Sequence, residues 1–255
     1  MQRVLSPCFR FVVLAGILLF CTSALAATTK SSPPRTKTIY NIQSAYPWDM
    51  TQDSATGSGT STGTMSLVSS PSLSGAARDF GISFQYSAGE RYWAVFGADS
   101  SASNFTYDAQ VYIASPSSDI ANLEFDMNQV MANGQTVIFG VQCDGYSSTW
   151  DYTTNAGTPE NPSDQWLHST APCNPQKWTT NTWHHVQMSY SRDSYGNVTY
   201  KTVALDGIQQ KINETVPSAF ALGWSQVLLI NFQIDGIGSY GSATVYLDKL
   251  TISRW

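Results

Sequence analysis

The amino-acid sequence predicts an all-β protein, an antiparallel β-sandwich of two sheets packed face to face. Roughly ten short segments alternate apolar and polar residues, or run through β-branched and aromatic residues, with the two-residue period of a strand. Gly, Asn, Asp and Ser separate these segments, and few stretches have the apolar spacing of an amphipathic helix. Strands without intervening helices pair antiparallel and bury their apolar faces against a second sheet.

The candidate strands follow in order along the chain. The first four predicted strands are short aromatic or aliphatic runs that end near glycine or serine. The fifth and ninth alternate strictly between apolar and polar residues. The seventh and eighth lie on the two sides of the turn sequence "RDSYGN". The sixth is a β-branched run, and the last, "ATVYLDKLTIS", alternates again. The predicted strands are 63–68, 79–86, 92–97, 109–113, 122–130, 136–143, 183–191, 198–205, 227–234 and 243–253.

The start of the chain has the pattern of a secretory signal peptide over residues 1–26. Two arginines accompany an apolar run that ends in the small-residue sequence "ALA". This run is shorter than the roughly 18 to 20 apolar residues of a membrane-spanning helix. We therefore expect no membrane span in the mature protein, a flexible linker over 27–38, one domain over 39–255, and secretion to the extracellular space or periplasm.

The charge balance narrows the class of partner. The full chain has 13 Lys and Arg against 18 Asp and Glu. Removal of the signal peptide takes two arginines, which leaves a net charge of about −7. Nucleic acid attracts clustered positive charge, so it is not an expected partner. Polyanionic glycans are mildly disfavoured, and neutral polysaccharides or oligosaccharides remain.

Two cysteines, Cys143 and Cys173, lie outside the signal peptide. An even pair in an exported protein predicts a disulfide, here closing a loop of about 30 residues. The alternatives are two buried free thiols or, less favoured, a metal site.

Strand alternation predicts a polar face. In "NLEFDMNQ" (122–129) the apolar residues alternate with acids and amides. The segments "LLINFQID" (228–235) and "TWHHVQMSY" (182–190) show the same alternation of an apolar row with a polar row. If these strands are neighbours, their polar rows form one broad surface. The outward residues are Glu124, Asp126, Asn128, His185, Gln187, Asn231 and Gln233.

This surface has two interpretations. It is either an ordinary solvated exterior or a binding face, because planar amides, carboxylates and imidazoles suit sugar hydroxyls. The chain also has eight Trp and thirteen Tyr, and aromatic rings stack on sugars. We favour the binding face and add Trp150, in the predicted disulfide loop, to its candidate residues.

"NLEFDMNQ", "TNTWHHVQMSYSRD" leading to "VALDGIQQ", and the closing "ATVYLDKLTISRW" resemble the concanavalin A-like lectin and glucanase superfamily, which includes laminin-G-like and carbohydrate-binding jelly rolls. The resemblance covers nearly all of 39–255 and implies a jelly-roll fold. This superfamily includes lectins, hydrolases, lyases and adhesive modules, so it implies the fold more than the function. Structural calcium is frequent in it, but no single stretch here supplies the convergent oxygens. No cofactor is expected.

The resemblance raises two catalytic hypotheses. Glu124, Asp126 and Gln129 have the spacing of the Glu-x-Asp-x-x-Glu signature of retaining glucanases. However, an amide cannot protonate a leaving group, and a strand without a bulge turns Gln129 to the opposite face. A lyase would use amides with His or Tyr, for which His185, Gln187, Asn231 and Tyr200 are candidates.

The leading hypothesis is a secreted, non-catalytic carbohydrate-binding module for a neutral or weakly charged glycan. The second is a polysaccharide-degrading enzyme, a lyase before a hydrolase, with Glu124, Asp126 and His185 as catalytic candidates. The third is an adhesion module whose ligand is protein.

Overall fold

The computed structural model describes residues 35–45, 47–53, 57–117 and 119–255. The predicted signal peptide and residues 27–34 of the predicted linker lie outside the described residues. None of the described helices is long and apolar enough to cross a membrane.

Short 3₁₀ helices occur at Ile42–Ser44 and Pro175–Lys177. The strands are β1 Lys37–Ile39, β2 Asp49–Asp53, β3 Thr60–Val68, β4 Ala77–Gln85, β5 Gly89–Gly97, β6 Asn104–Ile113, β7 Ile120–Val130, β8 Thr136–Phe139, β9 Val141–Asp144, β10 Thr149–Asn155, β11 Asp164–Pro172, β12 Trp183–Arg192, β13 Asn197–Leu205, β14 Ile208–Pro217, β15 Ala219–Phe220, β16 Leu228–Gly236 and β17 Tyr240–Arg254.

These strands form two antiparallel sheets. The first has the order β14-β13-β12-β6-β17-β4-β3, and β1 also pairs with β17. The second has the order β11-β10-β9-β7-β16-β5-β2, and β8 pairs with β7 and β15. The two-sheet antiparallel sandwich of the jelly-roll type predicted from the sequence is confirmed.

The core lies between the sheets and is rich in aromatic rings. Phe232 of β16 packs against Phe125 of β7, with ring centroids 5.5 Å apart, and against Phe80 of β4 at 5.2 Å. Tyr92 of β5 extends the cluster, with its ring 4.7 Å from Phe80. All four rings are fully buried. Such tilted pairs contribute about 0.5 to 1.5 kcal/mol beyond the burial of apolar area, so this cluster stabilises the contact between the sheets.

Asp248 of β17 anchors the chain before β4. Its carboxylate accepts hydrogen bonds from Gln43 Nε2 at 3.1 Å, Ser72 Oγ at 2.7 Å and Ser74 N at 3.0 Å. Burial opposes ionisation of this group, but the hydrogen bonds from Ser74 and Ser72 hold its pKa below the usual range. A buried carboxylate satisfied in this way ties two loops to the strand.

All ten predicted segments fall in strands to within one residue at their ends, with one difference in continuity. The predicted strand 136–143 is two strands, β8 and β9, interrupted at Gly140. The sequence analysis missed β2, β10, β11, β14 and β15, because those strands are short, polar or inside the predicted disulfide loop. β1 begins at Lys37, two residues before the predicted domain start, since it pairs with the end of β17.

A disulfide joins Cys143 and Cys173, as predicted. It connects the buried end of β9 with the residue that follows β11, and both cysteines are buried. The bond is consistent with an oxidising compartment.

The double variant Cys143→Ala/Cys173→Ala should lose about 3 to 4 kcal/mol of unfolding free energy, because the bond closes a long loop in the unfolded chain. Urea denaturation followed by tryptophan fluorescence measures this loss. Reductant should bring the wild-type protein close to the variant and leave the variant unchanged. Coincident curves for oxidised wild type and variant would contradict the prediction.

Candidate functional site

The centre of the second sheet is the pair of strands β7 and β16. Their register runs without a shift from Gln129 opposite Leu228 to Asn122 opposite Asp235. Because the side-chain period is two, alternate residues of both strands share one face. The side chains that face the first sheet are predominantly apolar, and those that face away are predominantly acids and amides. These two strands therefore form the predicted polar face.

That face is the floor of a cleft and not an ordinary solvated exterior. Five predicted site residues lie on it, and none is more than 7% exposed. They are Glu124, Asp126 and Asn128 of β7, and Asn231 and Gln233 of β16. Polar groups buried to this degree need partners from the protein or from a ligand.

A hydrogen-bond network fixes the charged end of the floor. Gln233 Nε2 donates to Glu124 Oε1 at 2.9 Å and to Asp53 Oδ2 at 3.0 Å. Arg91 of β5 donates to Gln233 Oε1 at 3.2 Å and to Asp53 Oδ1 at 2.6 Å. Next along the floor, Asn231 Nδ2 donates to Asp126 Oδ2 at 3.2 Å. The side chains are therefore held in place before any ligand arrives.

The cleft above this floor has a volume of about 750 Å³. Its lining changes along the strands, from the acid-rich end near Arg91 to an apolar end formed by Val95, Leu229 and Ile138. Three tryptophans also line it: Trp93 of β5, Trp166 of β11, and the half-exposed Trp224 of the segment before β16. Aromatic faces around a few fixed polar groups are the usual make-up of a small-molecule or sugar site.

Several buried acceptors on the floor have no hydrogen-bond partner within the described part of the chain. They are the side-chain oxygens Asn128 Oδ1, Asn231 Oδ1 and, on β9, Gln142 Oε1. A buried unpaired acceptor costs about 1 to 3 kcal/mol. The first two belong to residues that line the cleft, so the floor keeps its polar groups at a cost in stability.

Gly140 keeps the floor open beside Asp126. A Cβ atom at this position would lie 2.5 Å from Thr153 Cγ2 and 3.2 Å from Asp126 Oδ1. The interruption between β8 and β9 therefore falls where a side chain would crowd the carboxylate.

Burial dominates the electrostatics of the floor. It raises the pKa of Asp126 to about 7, although a hydrogen bond from Asn231 acts in the opposite direction. Burial, followed by the charges of Asp235 and Asp126, holds the pKa of Glu124 well above its usual range. Asp126 can therefore hold a proton close to neutral pH.

Two predicted site residues, His185 and Gln187, lie elsewhere. They belong to β12 in the first sheet, whose polar side faces away from the core on the other side of the sandwich. Both bond Asp108, through His185 Nε2 at 2.9 Å and Gln187 Nε2 at 2.6 Å. The prediction of one shared face is therefore wrong for these two, since alternation gives the face of a strand but not its sheet. The prediction that Trp150 is a ligand-binding residue is also wrong, because its side chain is fully buried in the core.

The catalytic arrangements suggested by the sequence are not assembled. Gln129 faces the core side of β7, where its Nε2 donates to Ala102 O at 2.9 Å and its Oε1 accepts from Arg192 Nε at 2.6 Å. The unshifted register confirms that it faces away from Glu124. The lyase set is dispersed as well, because Tyr200 is buried in the core while His185 is on the far sheet.

Sequence reasoning missed several cleft residues. Arg91, Trp93 and Val95 alternate in "GERYWAVFG" as clearly as the acids of β7, so that signal was available. Trp166 and Asp164 lie on β11, which the sequence analysis left inside a loop. Trp224 lies outside any strand and gave no periodic signal.

One group of side chains has the spacing for a metal ion. The ligand atoms of Asp144, Asp151 and His168 lie within 4.8 Å of one another. These groups already have partners: Asp144 accepts from the backbone of Ser147 at 2.8 Å, and Asp151 bonds His168 Nδ1 at 2.8 Å. The three side chains are therefore already used in a turn and in a hydrogen bond between a carboxyl group and an imidazole.

The solved structures that this chain resembles include carbohydrate-binding modules, lectin-like proteins, an alginate lyase and an endo-1,3-β-glucanase. A carbohydrate-binding module of the β-sandwich superfamily is 11% identical with a TM-score of 0.40, over 79% of this chain and 55% of that one, about half its length. The cellulose induced protein Cip1 is 13% identical with a TM-score of 0.46, over 84% and 96%. Arcelin-5, a lectin-like defence protein from Phaseolus vulgaris, is 12% identical with a TM-score of 0.44, over 86% and 98%. The sequence matches no protein-family model and no curated protein. At these identities the likeness concerns the fold alone.

The stability of the protein should fall as pH rises from about 4 to about 7, in part through Asp126. The folded state keeps the proton up to about pH 7, whereas the unfolded chain loses it near pH 4, so the contribution is complete below the unfolded pKa and is lost as pH rises. Asp126→Asn should remove roughly 4 kcal/mol of this dependence, the equivalent of about three pKa units. Urea denaturation across this pH range checks it. Parallel pH profiles for wild type and Asp126→Asn would contradict the assignment.

Proposed function

We propose that this protein is a secreted carbohydrate-binding module whose ligand, a neutral or weakly charged glycan, lies in the cleft of the second sheet. The observation that carries the proposal is the floor itself. Buried acids and amides of the floor, among them Asp126, Asn128 and Asn231, line one cleft together with three tryptophans. The predicted signal peptide and the disulfide support secretion.

The chemistry of a sugar matches this lining. A pyranose ring has an apolar face that can stack on indole and a rim of hydroxyl groups that donate hydrogen bonds. Trp93 and Trp166 come from strands on the two sides of the β7–β16 pair, so the sugar would lie across Asp126 between them. The acids of the floor would repel a uronate carboxylate, which disfavours polyuronates as ligands.

Glycan cleavage is the second candidate, and one observation favours it. Asp126, with a pKa of about 7, is suited to donate a proton near neutral pH. Its neighbour Glu124 lies two residues away on the same face, so the floor offers two carboxyl groups. Cleavage would thus depend on this pair, without the residues that the glucanase signature or the lyase set requires.

Binding and cleavage respond differently to one substitution. Glu124→Gln keeps the shape and removes the charge, so a binder should lose about 1 to 3 kcal/mol of affinity. A catalytic Glu124 would lose turnover and keep ground-state binding. We expect wild-type protein to be retained on a neutral glycan from an immobilised panel, to release no reducing or unsaturated sugars, and to be retained less as Glu124→Gln.

Trp93→Ala and Trp166→Ala should weaken retention as well, whereas His185→Ala, on the far sheet, should not. Thermal melting of each variant separates lost binding from lost folding. Release of soluble sugars by wild-type protein, with Glu124→Gln inactive, would favour cleavage over the binding module. Retention on no glycan of the panel would refute both functions.

A further inference from the structure

The carboxyl groups that line the cleft outnumber its basic groups. Asp53, Glu124, Asp126 and Asp164 line it, and Arg91 is the basic residue among the described residues of the lining. Arg91 already bonds Asp53 Oδ1 at 2.6 Å and Gln233 Oε1 at 3.2 Å. Because its guanidinium group is bonded to these two residues, Arg91 does little to neutralise the carboxyl groups deeper along the floor.

The centre of the floor has more hydrogen-bond acceptors than donors. Glu124 and Asp126 lie two residues apart on the same face of β7, and their carboxyl oxygens accept from Gln233 Nε2 and Asn231 Nδ2. The amide nitrogens of these two neighbours are therefore already used. A hydroxyl group both donates and accepts, whereas an ammonium group has three donors and no acceptor. A surplus of acceptors therefore fits an ammonium group better than another hydroxyl.

We infer that the cleft selects glycans with free amino groups and places a sugar ammonium against Asp126 and Glu124. This inference rests on the proposed carbohydrate-binding function and specifies its substrate class. A cation at this position would favour the ionised forms of Asp126 and Glu124, which burial otherwise disfavours, and would pair with them. The neighbouring tryptophans add a favourable cation–π contribution.

A metal ion is a poorer fit for the same charge. The group of described side chains with metal-ligand spacing is Asp144, Asp151 and His168, and none of these lines the cleft. The cleft carboxyl groups instead lie among Trp93, Val95 and Leu229 in a volume of about 750 Å³. An organic cation attached to a ring uses both the charge and the apolar lining.

Three β-1,4-linked pentasaccharides that differ at C2 test the inference. Cellopentaose has a hydroxyl group there, chitopentaose an acetamido group, and the fully deacetylated chitosan pentamer an amine. Isothermal titration calorimetry at about pH 6.5, close to the pKa of Asp126, should show at least about tenfold tighter binding of the chitosan pentamer. This advantage should shrink in about 0.5 M salt, because salt screens charge.

Two matched variants test which side chain is responsible for the preference for the amine. Asp126→Asn should remove most of the preference for the amine and keep weak binding of neutral sugars, whereas Asp108→Asn should change neither. Binding of cellopentaose or chitopentaose as tight as that of the chitosan pentamer would overturn the inference and leave the proposed function standing. Absence of binding for all three would also overturn the inference, and the wider glycan panel would then decide the proposed function separately. A preference unchanged in Asp126→Asn would show that the ammonium lies elsewhere.

Discussion

The unshifted pairing of β7 with β16 is the constraint on which both the core and the cleft depend. Its register sets Phe125 and Phe232 side by side beneath the sheet, and the same register sets Asp126 beside Asn231 above it. A slip of one residue would exchange the two faces, bury the acids in the aromatic cluster and expose the rings. The stability of the sandwich and the composition of the cleft are therefore two results of one strand pairing.

The hydrogen bonding of the polar groups on the cleft floor decreases from one end of the floor to the other. At the Arg91 end, the Gln233 network pairs charge with charge and amide with carboxylate. Towards Asn128 there are fewer hydrogen bonds between side chains, and the lining becomes apolar. Burial raises the pKa of both Asp126 and Glu124, and a protonated acid costs less to keep out of water than a charged one. The side chains of Asp126 and Glu124 thus favour ligand binding but reduce the stability of the empty protein.

Much of the fold followed from period-two patterns, and the limits of the sequence analysis have physical causes. Alternation correctly gave the faces of β7 and β16, because one side of each strand is strongly apolar. It also gave the correct faces of β12 but not its sheet, since sheet membership depends on pairing over long sequence distances; His185 and Gln187 were misassigned for that reason. Trp150 resembled a ligand contact because a tryptophan in a loop looks exposed, yet β10 carries it into the core. Trp224 belongs to a segment without periodicity, so only the three-dimensional arrangement reveals it.

The position of β17 governs the order in which the sandwich can form. This strand, Tyr240–Arg254, lies in the middle of the first sheet, between β4 and β6, and it also holds β1. During synthesis, β3 and β4 on one side and β6, β12, β13 and β14 on the other have no strand to join them until these late residues leave the ribosome. Pairing of such distant segments is slow, because a long chain loop must close first. Until then the two halves of the first sheet lack their central strand, so their apolar segments stay exposed to chaperones and to aggregation for longer.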